Sequence, residues 1–265
     1  LYSPFTILKK YLHYRLTSSN SKGHGVHSPF VFEFITKVMN DKKKHECYGP
    51  IESVRQEMLR DNSSLEVEDR GAGSAVIKTN TRKLSKIAAS SLKPKKFAQL
   101  LFRIVQHYQP QTVIELGTSL GITTAYLANG NKKATVYTLE GAASIAAIAR
   151  KNFAKLSLPD IKLIEGDFAL TLPRLLEKMT TVDLVFIDGN HRKGPTLHYF
   201  EQLLHHCGHS TILIFDDIHW SAEMEEAWEK IRSHPSVTLS IDLFFIGLVF
   251  FDTAFREKQH FKIRF

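Results

Sequence analysis

The run Val113-Ile114-Glu115-Leu116-Gly117-Thr118-Ser119-Leu120-Gly121-Ile122-Thr123-Thr124-Ala125-Tyr126-Leu127-Ala128 constrains this chain more than any other stretch. A buried-strand pattern ends in an acid, breaks into a turn with two glycines, and reopens as an apolar helix. Such a unit belongs to an open α/β sheet, in which ligands are held at the carboxyl ends of the strands. Gly117 and Gly121 let backbone approach a ligand where a Cβ would collide, and Thr118, Ser119 and Thr123 fill the turn around them. The spacing E-x-G-x-x-x-G is neither the G-x-G-x-x-G of a dinucleotide site nor a phosphate loop, since no lysine follows Gly121. A pyrophosphate is therefore not the expected guest. The carboxylate of Glu115, at the strand end, is placed to accept from a cationic or hydroxylated group.

The segments downstream of the turn give it weight. Residues 134–139 read as a second buried strand ending in Glu140, about 25 residues after Glu115, close to where an acid that grips ribose hydroxyls belongs in a doubly wound sheet. The apolar runs 161–164, 182–187 and 211–215 close on Glu165-Gly166-Asp167-Phe168, on Asp188-Gly189-Asn190-His191 and on Asp216-Asp217. Each acid alone would serve as a helix N-cap, but five polar strand ends in order mark a ligand edge. Helices are predicted at 120–129, 143–155, 170–179, 195–206 and 221–232. Residues 95–108 present Phe97, Leu100, Leu101, Ile104 and Val105 on one helical face. Strands at 237–243, 246–251 and 261–265 come next with no helix between them, which predicts an antiparallel pair. Before residue 94 the pattern is helical at 4–17, at 30–39 behind the Ser28-Pro29 cap, and from Gly49-Pro50 to Leu59. The domain reading is a helical segment at 1–94 and a ligand-binding α/β domain at 95–265.

Over roughly residues 95–251 these motifs resemble the class I S-adenosylmethionine-dependent methyltransferases. Within that class, Glu-Leu-Gly-Thr-Ser-Leu-Gly-Ile-Thr-Thr and Val-Phe-Ile-Asp-Gly-Asn-His are most similar to the catechol-type O-methyltransferases. The resemblance implies a doubly wound, Rossmann-like sheet, mostly parallel and finished by an antiparallel C-terminal hairpin, with residues 1–94 as a lid over the substrate. It implies S-adenosylmethionine as cofactor, lined by Glu115, Gly117, Thr118, Ser119, Gly121, Thr123 and Asp188. Glu140 would take both ribose hydroxyls, and Gly166, Asp167 and Phe168 would border the adenine, with Asp167 accepting from its exocyclic amine. In that family the fourth strand ends in an aspartate and the fifth in an aspartate followed by asparagine, and these hold a divalent ion. Asp188, Asp216 and Asp217 occupy those places, and three oxygen ligands suit Mg²⁺ or another divalent cation. Asp217 departs from the asparagine and adds a negative charge, and the alternative reading of the trio is as helix caps or substrate acceptors. Where the family carries a lysine as general base, three residues after the first metal aspartate, this chain has His191. Imidazole accepts a proton near neutral pH; the alternative is a loop histidine that orients Asp188.

The formal charge is +8, and much of the excess is local: Lys9, Lys10, Arg15, Lys22, Lys42-Lys43-Lys44, Arg82, Lys83, Lys86, Lys93, Lys95 and Lys96. The run reads as a solvated helical surface or as an RNA-facing patch, and no aromatic-interleaved basic motif raises the second reading. The two cysteines, Cys47 and Cys207, form no metal or redox motif, which suits a reducing, cytoplasmic setting. Residues 1–20 show no apolar targeting core, and the longest apolar stretch, 243–251, is about half a membrane span, so no membrane partner is expected. A second glycine run, Asp69-Arg70-Gly71-Ala72-Gly73-Ser74, comes after a segment too polar for a central parallel strand. It reads as a substrate-side loop whose Arg70 meets an anion, or as a connector. His24 and His27 flank Gly25-Val26 just before a helix cap. The expectation is methylation of a small-molecule hydroxyl, the alternatives being methylation of RNA or protein and a cofactor-binding module without catalysis. Neither the acceptor's identity nor the oligomeric state is legible in these residues.

Overall fold

The computed structural model describes residues 1–23, 25–67 and 81–265. His24 and the second glycine run from Asp69 to Ser74, Arg70 included, lie outside the described residues. Helices α1 (Pro4–Thr17), α2 (Pro29–Glu33, continued by a π-helical turn over Phe34–Met39) and α3 (Tyr48–Arg60) come first. Ser3 and Ser28 cap the first two, each hydroxyl accepting from a backbone N–H three residues on, with proline opening the helix. Strands β1 (Ser64–Glu66) and β2 (Thr81–Lys83) and helices α4 (Leu84–Ser91) and α5 (Lys95–Tyr108) are next. The alternating part comprises β3 (Thr112–Leu116), α6 (Ile122–Gly130), β4 (Thr135–Glu140), α7 (Ala143–Lys155), β5 (Lys162–Glu165), α8 (Phe168–Leu176), β6 (Val182–Ile187), α9 (Lys193–Leu204), β7 (Cys207–Asp216) and α10 (Ala222–Ser233). Strands β8 (Leu239–Asp242), β9 (Ile246–Phe250) and β10 (Gln259–Lys262) end the chain. The fold is the mostly parallel, helix-flanked, Rossmann-like kind expected, closed by an antiparallel hairpin. By internal packing it forms two compact units, residues 42–175 and residues 1–41 with 176–265. No helix among the described residues is long and apolar enough to cross a membrane.

In the unit 42–175, β3, β4 and β5 pair in parallel, with Glu115 opposite Thr138 and Glu140 opposite Glu165. The apolar face of α5 is buried at the five positions that the 3.6-residue period selects. At the mouth of α6, Gly121 adopts φ 77°, and a Cβ there would stand 2.5 Å from the Phe153 ring of α7. The residue must therefore be glycine on two counts, backbone sign and space. Strands β1 and β2 form an antiparallel ribbon, and α4 buries Leu84, Ile87 and Ala88 against Val67, Leu120, Ala142 and Ile145. Sequence reading found neither the ribbon nor α4, because three-residue strands are too short to show a period.

In the other unit β6 and β7 run parallel, β9 pairs antiparallel with both β7 and β8, and β10 lies parallel to β8. Phe244 takes φ 70° in the β8–β9 turn. Helix α1 is fixed to this unit by aromatic side chains. Tyr14 Oη lies 2.5 Å from Ile263 O and 2.9 Å from Asp242 O, donating its one proton into that pair, and Tyr11 meets the edge of Phe244 at 5.0 Å.

Candidate functional site

In the unit 42–175 the cofactor-type motif is built largely from backbone. Gly117 (φ 105°) and Ser119 (φ 47°) curl the chain back after β3, and the N–H groups of Gly117 and Thr118 donate to Leu139 O of β4. The turn is thereby tied to the neighbouring strand. Ser119 N donates to Glu140 Oε2 at 2.9 Å and Ala142 N to Glu140 Oε1 at 3.0 Å, so the Glu140 carboxylate is oriented by two backbone donors while remaining half-buried. Its pKa is raised by burial, against the pull of those N–H groups. Each oxygen keeps an acceptor direction for a further hydroxyl. Gly166 (φ 133°) donates to Glu140 O at 2.9 Å. Exposed Asp167 caps α8, Oδ1 accepting from Ala169 N at 2.9 Å, beside half-buried Phe168.

Glu115 occupies a different environment from the open strand end that the sequence suggests. It is fully buried, and its Oε2 accepts from Thr124 Oγ1 and, at 2.6 Å, from Thr138 Oγ1. Thr118 Oγ1 lies 2.6 Å from Thr138 Oγ1 and extends the chain of hydroxyls. Burial pushes the Glu115 carboxyl up to about 7, the two hydroxyl hydrogen bonds pull against it, and nearby Glu140 adds to the rise. Its Oε1 has no hydrogen-bond partner among the described residues, an orphaned acceptor of the kind that a bound donor satisfies. Thr123, on α6, is buried. Positive-φ glycines, an oriented half-buried carboxylate and an orphaned buried acceptor fit a cofactor with ribose hydroxyls and a cationic tail.

In the other unit, a side-chain cluster stands at the ends of the parallel strands β6 and β7. Single donor atoms of Asp188, His191 and Asp216 lie within 4.8 Å of one another, and His191 Nε2 is 3.6 Å from Asp188 Oδ1. The loop that carries His191 is set by Asn190, which takes φ 61° and donates through Nδ2 to Tyr199 Oη at 3.1 Å. Asp216 is buried and the other two are half-buried. Of the three expected metal ligands, the structure brings together Asp188 and Asp216. Asp217 is not in the converging set; it takes φ 53°, and its N–H donates to Phe245 O at 2.7 Å. His191 is the third member of that set. The D-x-x-H spacing was the available signal, since it returns a loop side chain to the strand end.

Sequence reading also missed a charged network in this unit. His219 Nδ1 lies 3.0 Å from Glu225 Oε1 and its Nε2 lies 2.9 Å from Asp242 Oδ2. Burial alone would lower the His219 pKa, but the two carboxylates outweigh it and raise the value. Glu225 also accepts from Tyr2 Oη at 2.8 Å and from Lys10 Nζ at 2.9 Å, so the network ties α1 to α10.

Residues 114–218 match a family described as a methyltransferase domain. A catechol O-methyltransferase of Niastella koreensis is 30% identical over 145 residues, which cover 53% of this chain and 63% of that protein. The chain thus spans just under two thirds of that relative's length. A catechol O-methyltransferase of Mycobacterium tuberculosis is 28% identical over 159 residues, covering 59% of this chain and 69% of the relative. Among solved structures, the O-methyltransferase from Bacillus cereus in complex with SAH is similar in fold, with a TM-score of 0.56 at 22% identity, covering 83% of this chain and 97% of that one.

Proposed function

We propose that this chain, a class I S-adenosylmethionine-dependent methyltransferase, methylates a hydroxyl group of a small molecule. The observation that carries the reading is the convergence of Asp188, His191 and Asp216, two carboxylates and an imidazole where an acceptor must lose a proton. S-adenosylmethionine supplies a methyl group already activated on sulfur, so the protein's share is alignment and proton removal. Glu140 would hold the ribose hydroxyls and Asp167 the adenine amine. The orphaned Glu115 Oε1 would accept from the cationic end, directly or through water. At the acceptor, His191 would take the hydroxyl proton, leaving an imidazolium whose Nε2 stands 3.6 Å from Asp188 Oδ1, where the carboxylate stabilises the new charge.

The same three side chains fit a divalent cation, and a donor set with one nitrogen and two carboxylates suits Mn²⁺ better than Mg²⁺, which favours oxygen alone. An ion held there would lower the pKa of a bound hydroxyl. Binding it would occupy the imidazole lone pair, so the base and ligand roles of His191 exclude each other. The test is transfer of labelled methyl to catechols, phenols, aliphatic alcohols and total RNA, each with chelator and with Mn²⁺ or Mg²⁺ restored. Label on a phenolic or catecholic oxygen is the expected result. Label on RNA or protein, or tight cofactor binding with no transfer, would overturn the reading. Full activity in chelator would leave His191 as the base, whereas loss restored by Mn²⁺ would show that the reaction needs an ion.

A further inference from the structure

Helix α1 carries an apolar stripe on the side turned away from its own unit. Leu1, just before the helix, and Phe5, Leu8, Leu12 and Leu16 on it are 54–85% exposed. They are five of the seven large hydrophobic side chains exposed among the described residues. At 3.6 residues per turn the four helical positions fall within an arc of about 80°. The outward direction is built in. Tyr14 and Tyr11 pin the roughly opposite face through Ile263 O, Asp242 O and Phe244, Lys10 is held by Glu225, and Ser19 bridges to Ile263 behind the helix. The stripe therefore has no route into the core of its own unit, and so ordered an apolar surface marks an interaction site.

The charges beside the stripe choose its partner. Exposed Lys9 and His13 border it on one side and exposed Arg15 on the other, and the chain contains no Asp or Glu before Glu33. Two copies pairing along this stripe would bring the cationic margins of one helix against those of the other, while Glu225, the acid that contacts the helix, is already engaged by Tyr2, Lys10 and His219. An anionic lipid surface answers both features, since leucine and phenylalanine enter the acyl boundary while lysine and arginine meet the headgroups. We propose that α1 is a preordered interfacial anchor that lays this protein on anionic membranes. The sequence-based expectation of no membrane partner rests on the lack of a span, which an interfacial helix does not require.

Cosedimentation of the whole chain with phosphatidylcholine vesicles, with and without added phosphatidylserine, tests it. Binding to the phosphatidylserine vesicles is expected, weakened by salt. Leu8→Gln/Leu12→Gln should weaken it by on the order of tenfold or more, and Lys9→Ala/Arg15→Ala by a smaller factor. Both pairs are exposed, and an unchanged circular dichroism spectrum and cofactor affinity would show the fold intact. No binding to phosphatidylserine vesicles, or binding that survives Leu8→Gln/Leu12→Gln, overturns the proposal. So does a concentration-dependent dimer that the leucine pair abolishes in a protein that ignores vesicles, which would assign the stripe to self-association.

Discussion

Glu140 and Asp216 both stand at the end of a parallel strand, yet their surroundings differ. Glu140 is oriented by the backbone N–H groups of Ser119 and Ala142, so its position is set by the glycine turn and by the positive φ of Ser119. Asp216 is instead buried with a donor atom within 4.8 Å of donor atoms of Asp188 and His191, which come from another strand end. A carboxylate fixed by main chain is insensitive to most neighbouring substitutions and suits a cofactor that is the same in every turnover. A carboxylate grouped with an imidazole and a second carboxylate has a proton acceptor beside it, which would suit an acceptor site. Binding and chemistry should therefore separate under mutation.

The largest effect is expected at His191. His191→Ala should lower turnover by about 10²–10⁴ while the affinity for S-adenosylmethionine, measured by calorimetry, stays nearly constant. A parallel loss of affinity would break the division between the two regions. Restoration of the variant by excess Mn²⁺ would sharpen it, by placing the histidine among ligands.

Next comes the turn itself. Gly121→Val puts a branched side chain at φ 77° with its Cβ 2.5 Å from the Phe153 ring. The left-handed backbone costs about 1–2 kcal/mol and overpacking about 1–3 kcal/mol more, so urea unfolding should show a loss of roughly 2–5 kcal/mol together with loss of cofactor binding. A variant that stays stable and binds cofactor would mean that the turn is less rigid than its hydrogen bonds to Leu139 imply. Smaller again is Glu140→Ala. Losing a hydrogen bond to a charged acceptor costs about 1.5–3 kcal/mol, roughly a ten- to hundredfold weaker cofactor affinity, with turnover at saturating cofactor largely kept. Unchanged affinity would remove Glu140 from the ribose.

Sequence legibility divides along the same line. Gly117, Gly121 and the acids 115, 140, 188 and 216 were readable because one-dimensional order is what a doubly wound sheet preserves: each strand must end, and each end must be polar or capped. Strand β9 and its hairpin were readable because no helical period separates 246–250 from 239–242. Three things were not. The burial of Glu115 depends on Thr124 and Thr138, which come from a helix and another strand, and no local pattern announces that pairing. That Asp217 stands outside the converging set goes with its positive φ, which the residue type permits without requiring. The outward stripe of α1 has helical spacing identical to that of a core face, and only the contacts of Tyr11 and Tyr14 decide which way it points.

The smallest effect concerns how pH loads the two units, and their signs can be worked out separately. Glu115 has a folded pKa raised from 4.5 to about 7, so its unit favours the protonated acid and loses stability as pH rises from about 4.5 to about 7. Cofactor binding, or Glu115→Gln, should remove that slope. In the other unit His219 is raised above its ordinary 6.5. Its contribution is complete below 6.5 and lost as pH climbs through the folded value. Glu225 is lowered from 4.5, burial opposing and Lys10, Tyr2 and His219 prevailing, so its contribution is present above 4.5 and lost as pH falls through the folded value. Helix α1, tied through Lys10 to Glu225 and so to His219, should therefore be held most firmly between about 4.5 and 6.5, the interval in which the Glu115 region weakens. Hydrogen exchange at stepped pH reads the two apart: amides of α1 should lose protection above 6.5 in the native chain, and His219→Phe should flatten that loss while leaving the β3–α6 turn unaffected. Equal slopes in both regions would show that the chain opens as one cooperative unit, and the contrast between its halves would then be one of chemistry alone.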